Sequence, residues 1–193
     1  MNNKKNHLFK GLNMKSALFL ICACAAISCS DDDEPKKNNN PGISEVTLDG
    51  GPFTNLTAKG TTASPAMAVY SPDEDLTAIT YSAMADGEEY YVVIAFPGKA
   101  KGQHAWNEEN CFVQVMTEVD NADEGITATF INLNNSVHTG HVRIDSYGEV
   151  GGVISGSFEG GCTYIDASDL DESCVNCLET GTMKGRFEAK RVQ

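Results

Sequence analysis

Residues 90–96 of this chain read YYVVIAF, an apolar run bounded by a Glu-Glu pair before it and a Pro-Gly pair after it. β-Branched and aromatic residues favour strands. A strand that is apolar on both faces lies inside a sheet, since each face must then be covered. We therefore expect residues 90–96 to form a central β-strand.

On either side of this run, the sequence shows the alternation typical of half-buried strands. Val142 and Ile144 alternate with Arg143 and Asp145, and residues 186–190 repeat the pattern. Similar runs, separated by Gly, Asn, Asp and Pro, predict strands at 45–48, 53–58, 66–70, 76–85, 89–96, 112–119, 126–133, 137–146, 150–158 and 183–192. The expected fold is all-β, with residues 43–193 forming a single domain. It is either an antiparallel β-sandwich or a partly closed β-barrel, and the sequence does not separate the two.

The N-terminus has the charge and hydropathy order of a secretory signal. Four lysines precede an apolar run at residues 17–27, and small residues follow it. The run is shorter than the ~20 residues that a membrane-spanning helix needs. Residues 1–28 are therefore predicted to be a cleaved export signal.

Residues 26–29 read AISC and resemble the bacterial lipobox, in which small residues precede a Cys whose thiol takes a diacylglyceryl group. The resemblance implies that Cys29 becomes the first residue of the mature protein and carries diacylglyceryl and palmitate chains. Several chains anchor a protein stably where one does not, because each buried methylene adds roughly 0.8 kcal/mol. We expect a lipoprotein held on a membrane by its N-terminal lipid.

The segment after Cys29 has no side chain that could join a core, so residues 29–42 are predicted to be a disordered tether that carries the lipidated Cys. It begins with an acidic run made of Ser30, Asp31, Asp32, Asp33 and Glu34. This run resembles the signal that sends lipoproteins of the Bacteroidota to the outside of the outer membrane. The expected location is therefore the outer membrane, facing the cell exterior.

The whole chain is strongly acidic, with 14 Lys and Arg against 27 Asp and Glu and a net charge of −13. Loss of the signal lysines makes the mature chain more acidic still. Binding to a nucleic acid backbone or to anionic lipid requires a surface rich in Lys and Arg. We expect no nucleic-acid partner, and the oligomeric state stays open.

Two glycine-rich motifs lie near the C-terminus: residues 147–160 read YGEVGGVISGSFEG, and residues 185–191 read GRFEAKR. Together with the lipobox and the acidic run, they resemble a group of small β-rich surface lipoproteins of the Bacteroidota. That group has no assigned activity, so the resemblance implies fold and location only. We expect the glycines to form bends in a curved sheet.

Four cysteines remain for the folded domain, namely Cys111, Cys162, Cys174 and Cys177. An even number in an exported domain suggests two disulfides. A bridge from Cys162 to Cys174 or Cys177 is favoured, although all three connectivities stay open. The CxxC spacing of Cys174 and Cys177 could instead supply half of a zinc site, and redox catalysis is a weaker alternative.

Two further segments could contact a ligand. The acidic stretch after Cys162 offers weak candidates for a calcium site in Asp166, Asp169, Asp171 and Glu172, although a solvated loop is the favoured interpretation. Trp106 lies in the polar stretch 99–110 and could stack on a sugar ring or anchor a partner. Burial of Trp106 against the core is the favoured alternative.

No catalytic motif or phosphate loop is present, so we expect neither an enzyme nor a cofactor. The predicted function is a binding or accessory module for an envelope protein complex or for an extracellular ligand such as a glycan. The alternative is a lipocalin-like carrier of a small apolar ligand in a cavity lined by residues such as Tyr81, Tyr91, Val93 and Phe130. A metal-binding or enzymatic protein comes third.

Overall fold

The structure, a computed structural model, describes residues 42–107, 109–117, 128–131, 139–166 and 178–193. All of these residues belong to one of two compact units, residues 38–193. The predicted signal peptide, Cys29, the acidic run at 30–34 and the rest of the tether up to residue 41 lie outside the described residues. Within the described ranges, no helix is long and apolar enough to cross a membrane.

The described chain is all-β, as predicted. Its strands are β1 (Glu45–Gly50), β2 (Phe53–Gly60), β3 (Met67–Ser71), β4 (Leu76–Ala85), β5 (Glu88–Pro97), β6 (Gly102–Ala105), β7 (Phe112–Thr117), β8 (Ala128–Ile131), β9 (Gly140–Tyr147), β10 (Val153–Asp166) and β11 (Leu178–Arg191). Hydrogen bonding joins them in the order β2-β1-β11-β3-β4-β5-β7-β8-β10-β9-β6. All the pairs are antiparallel except β3 with β11.

Two additional ladders fold this order back on itself. The β2–β4 ladder closes β1, β2, β4, β3 and β11 into a five-stranded barrel, with the other strands outside it. The β10–β11 ladder then ties the outer strands to the same barrel over the length of a long hairpin. The fold is therefore a barrel with additional strands outside it, and of the two predicted architectures the barrel describes it better.

The inward positions of the strands form one hydrophobic core. Its largest side chains are almost completely buried and include Phe96, Phe158, Phe187, Ile79 and Met183. Bulky apolar side chains from alternate positions of β4, β5, β10 and β11 fill the space between the strands.

The observed strands confirm some of the sequence predictions and extend others. Strand β4 has the predicted bounds, and β5 is central as predicted, because it pairs with β4 on one edge and β7 on the other. Strand β6 was not predicted. The β10–β11 hairpin is longer than expected, since residues 159–165 and 178–182 continue the ladder.

Two long strands change partner part of the way along one edge. Strand β10 pairs with β9 as far as Gly160 and with β8 from Thr163 onward. Strand β11 pairs with β1 as far as Arg186 and with β3 from Lys190 onward. A partner change interrupts the wall of the sheet, and a cavity lies at each of these two breaks.

Candidate binding groove

The larger cavity, of about 580 Å³, lies at the partner change of β10 on the outer face of β6, β9, β10 and β11. We call it the β10 groove. The strand register places Ala105 beside His141, His141 beside Glu159, and Glu159 beside Lys184. Because side chains alternate between the two faces of a strand, these four form one row across the outside of the sheet.

The floor of the β10 groove is nearly free of side chains. Gly161 occupies an outward position next to Thr182. Gly140, the first residue of β9, pairs with Gly160. Close packing requires glycine at residue 140, because a Cβ there would clash with the ring of Trp106 and with the Glu159 carbonyl. The floor therefore consists largely of exposed main chain.

The rim of the β10 groove carries side chains of mixed polarity, namely Gln103, His141, Glu159, Thr182 and Lys184. The His141 Nε2 and Glu159 Oε1 atoms lie 3.9 Å apart. Lys184 forms no ion pair with any described residue. The rim thus offers an amide, a hydroxyl, an imidazole, a carboxylate and an ammonium group at fixed positions on paired strands.

Trp106 lies beneath this floor and not at the surface. Its side chain is only 5% exposed, it packs on Gly140 and Gly160, and its backbone N–H donates to the Gly140 carbonyl at 3.0 Å. The exposed ring that a direct ligand contact of Trp106 would require is not present, because the residue is buried beneath glycine main chain. Burial against the core, the favoured alternative, is confirmed.

A second feature of this corner is a pair of buried side-chain nitrogen atoms whose hydrogen-bonding capacity is not satisfied by any described residue. The Nε1 atom of Trp106 and the Nε2 atom of His104 are both buried and have no hydrogen-bond partner among the described residues. His104 faces inward and stacks on Phe96, with ring centroids 5.5 Å apart. A buried polar atom without a partner destabilises a fold, so the Trp106 and His104 rings stabilise this corner by packing and not by side-chain hydrogen bonds.

The two described cysteines are buried thiols. Neither Cys111 nor Cys162 forms a disulfide in the structure. Burial raises the pKa of the Cys111 thiol to about 12, although a backbone hydrogen bond from Val142 partly opposes this, and burial alone raises the pKa of Cys162 to about 12.

The expected bridge from Cys162 to Cys174 or Cys177 is therefore not formed in the structure. Cys162 lies in the middle of β10, opposite Gly181 of β11, and its side chain is an inward member of the core. The sequence predicts a solvated loop directly after Cys162, whereas the ladder with β11 continues as far as Ile165. Cys174 and Cys177 themselves lie outside the described residues.

The predicted metal ligands fall mostly in the same undescribed segment. Asp166 is the last residue of β10, and only its backbone is described. Asp169, Asp171 and Glu172 lie outside the described residues. In the parts of the chain that the structure describes, no three His, Cys, Asp or Glu side chains come together as metal ligands.

Three of the four residues expected to line a carrier cavity do not share one face. Tyr81 points into the core, whereas Tyr91 and Val93 alternate with the inward residues Tyr90 and Val92 and so lie on the outer face of β5. Phe130 belongs to β8, where only the backbone is described. Tyr81, Tyr91 and Val93 therefore do not line one common cavity.

No protein-family model, curated protein or solved structure matches the chain. The sequence does not reveal the β10 groove, because its residues come from four strands that are distant in sequence. The consecutive glycines at 160 and 161 were its only local signal.

Proposed function

We propose that this protein is a lipid-anchored binding module on the outside of the outer membrane, and that the β10 groove binds an extracellular glycan. The anchor rests on the lipobox at Cys29, and the outward orientation rests on the acidic run that follows it. The observation that supports the binding role is the groove itself, with its main-chain floor and mixed polar rim.

The chemistry of the rim favours a sugar over an ion or an apolar molecule. Each sugar hydroxyl both donates and accepts hydrogen bonds, and the rim supplies donors in Lys184 and Gln103 and an acceptor in Glu159. An apolar ligand would leave these groups without partners, at a cost of about 1–3 kcal/mol for each buried group. A polar, neutral ligand satisfies all of them.

The arrangement also predicts that binding at one groove is weak. Stacking of a sugar on an aromatic ring is a large source of affinity, and the Trp106 ring cannot reach the groove. A dissociation constant in the millimolar to micromolar range is expected for one site. Many copies anchored on one cell surface would still bind a polymer tightly, because the second contact becomes intramolecular.

A glycan array of defined host and bacterial oligosaccharides tests the binding role directly, using the mature lipoprotein in detergent. The test variant combines Glu159→Gln with Lys184→Met, and the matched control is Arg186→Met. Arg186 lies on the same strand and face as Lys184, but it pairs with Glu45 at 3.0 Å and does not line the groove.

The wild type and the R186M control should retain the same glycans, and the double variant should bind them about tenfold more weakly or not at all. If no glycan is retained, the glycan assignment is wrong. A pull-down from cells that recovers one envelope protein, lost in the double variant, would then assign the groove to a protein partner.

The location is tested separately by metabolic palmitate labelling and by protease treatment of intact cells. Cys29→Ala should abolish labelling and release the protein from the membrane. Replacing residues 31–34 by alanine should leave labelling intact and protect the protein from the external protease. Equal protease sensitivity of this variant and the wild type would show that the acidic run does not direct the protein outward.

A further inference from the structure

The second cavity, at the partner change of β11, is smaller and has different chemistry. It measures about 260 Å³, and we call it the β11 pocket. Its walls come from the segment before β1, the connection between β2 and β3, strand β4 and strand β11. The lining residues used below are Ser44, Thr61, Ser64, Tyr81 and Lys190.

The pocket exists because three residues of β11 lack a strand partner on one edge. Between Arg186, which pairs with β1, and Lys190, which pairs with β3, one residue before β1 fills part of the gap. The Ser44 hydroxyl accepts from the Glu188 N–H at 3.2 Å, and the Ser44 carbonyl accepts from the Gly60 N–H at 2.7 Å. The small side chain of Ser44 satisfies the Glu188 N–H but does not fill the gap, so a hollow remains beside it.

Tyr81 forms a buried wall of this hollow. The side chain is only 5% exposed, and its hydroxyl donates to the Glu45 carbonyl at 3.3 Å. That distance is long for an O–H donor, whose bonds are usually near 2.7–2.8 Å. The hydroxyl therefore retains the capacity to form a shorter bond with another acceptor. Burial raises the pKa of Tyr81 above its usual range, so the proton stays in place at neutral pH.

The charge around the β11 pocket favours an anion. Among the described residues that line the pocket, Lys190 is the only one that is charged at neutral pH, and none is a carboxylate. Of the two carboxylates next to the pocket, Glu45 pairs with Arg186 at 3.0 Å, whereas Glu188 accepts only from the uncharged Gly42 N–H at 2.6 Å. A single cation without a lining acid is unusual in a chain with nearly twice as many acids as bases.

We propose that the β11 pocket binds a small anion that bears a phosphate or carboxylate group, held by the ammonium of Lys190 and the hydroxyl of Tyr81. The hydroxyls of Thr61 and Ser64 complete the set of polar lining groups. Liquid water occupies about 30 Å³ per molecule, so the pocket holds a ligand the size of roughly nine waters. A phosphorylated lipid headgroup and a free small anion both meet these limits.

Binding is measured by calorimetry on the intact mature lipoprotein in a neutral detergent, with inorganic phosphate, acetate and glycerol 3-phosphate as probes. The test variant is Lys190→Met. The control is Lys101→Met, because Lys101 is also an exposed lysine but lines neither cavity. A thermal melt of each variant checks that it is folded.

At least one probe should bind the wild type and the K101M control in the millimolar range, and more weakly at high salt. K190M should bind about tenfold more weakly, and Tyr81→Phe a few-fold more weakly, because it loses one donor. Tighter binding of glycerol 3-phosphate would identify a headgroup as the source, and tighter binding of phosphate or acetate a free anion. Absence of binding, or equal losses in K190M and K101M, would overturn the proposal.

Discussion

The β10 groove and the β11 pocket arise from the same topological event but are built from opposite kinds of residue. At the break in β11, Ser44 and Tyr81 supply side chains that narrow the gap to a small hydroxyl-lined pocket. At the break in β10, Gly160 and Gly161 supply none, and the gap opens into a wide groove. The size and chemistry of a cavity at a partner change therefore depend on the few residues that occupy the break.

The two breaks also differ in what supports them from inside. The Trp106 side chain supports the glycine floor of the β10 groove by packing, since its Nε1 has no partner among the described residues. Tyr81 supports the β11 pocket and keeps a hydrogen bond to the Glu45 carbonyl. We therefore expect changes at Trp106 to affect stability and changes at the Tyr81 hydroxyl to affect ligand binding.

The largest effect is expected for Trp106→Ala, which removes a buried ring from beneath the groove. The loss of packing and the cavity left behind should lower the free energy of unfolding by about 3–5 kcal/mol. Urea unfolding measures this change in the free energy of unfolding. Val150→Ala is the control, because Val150 is 63% exposed, and it should change stability by less than about 0.5 kcal/mol. A loss of under about 1 kcal/mol in W106A would show that the ring does not support the floor.

Gly140→Ala should have the next largest effect, because the added Cβ clashes with the Trp106 ring and the Glu159 carbonyl. Overpacking of this kind costs about 1–3 kcal/mol. Part of this loss of stability should disappear when Gly140→Ala is combined with Trp106→Leu, because the smaller side chain removes the clash. The two changes should be coupled by about 0.5–3 kcal/mol in the free energy of unfolding.

The control for that cycle is Gly87→Ala, a turn position with φ of +91° and no atom within 4 Å of an added Cβ. Its cost, about 1 kcal/mol from backbone strain, should be the same with and without Trp106→Leu. Additive behaviour of G140A and W106L would contradict the contact on which the groove floor depends.

The sequence predicts the regular strands of this molecule better than the positions where β10 and β11 change partner. Strand β4 has its predicted bounds, because ten residues keep a strand pattern between clear turns. Strand β6 escapes prediction because GQHA contains no β-branched residue, and it forms only by pairing with β9. Gly160 and Gly161 look like a loop, yet the ladder with β11 continues through them.

The candidate site was less predictable than the fold for a physical reason. The row formed by Ala105, His141, Glu159 and Lys184 depends on the register of three ladders, and a shift of one residue would turn each side chain to the opposite face. Trp106 attracts attention in the sequence as an aromatic residue among polar ones. Only the packing against Gly140 and Gly160 shows that it lies below the surface.

The two buried thiols predict a dependence on pH with a defined sign. Because the pKa of Cys111 and Cys162 rises from 9.0 to about 12 on folding, the folded state binds more protons than the unfolded state above pH 9. Stability should be unaffected below about pH 9 and should fall as the pH rises toward 12. Chemical denaturation at several pH values measures this loss.

Substitution of the thiols provides the control. In the Cys111→Ala and Cys162→Ala double variant, the decline above pH 9 should be smaller than in the wild type. In the native wild type, both thiols should resist alkylation at pH 8 and react after unfolding. Rapid alkylation of the native protein, or a disulfide at either residue in mass spectrometry, would contradict the burial of free thiols.

The smallest stability effect is expected for Tyr81→Phe at the other break. It removes only a hydroxyl with a 3.3 Å bond and keeps the buried ring, so the free energy of unfolding should fall by less than about 1 kcal/mol. Urea unfolding of Y81F and W106A under the same conditions compares the free energies that the two aromatic side chains contribute. A loss of unfolding free energy as large as that of W106A would mean that the Tyr81 hydroxyl stabilises the fold and is not available to a ligand.

The assignment of the binding site to the β10 groove is tested most directly by hydrogen–deuterium exchange of the mature lipoprotein. The exchange is measured with and without the glycan that the array binds most tightly. Added glycan should slow exchange at residues 103–105, 139–141, 159–161 and 182–184, and leave residues 42–44 and 60–66 unchanged. Protection confined to the β11 pocket, or spread evenly over the domain, would contradict the assignment.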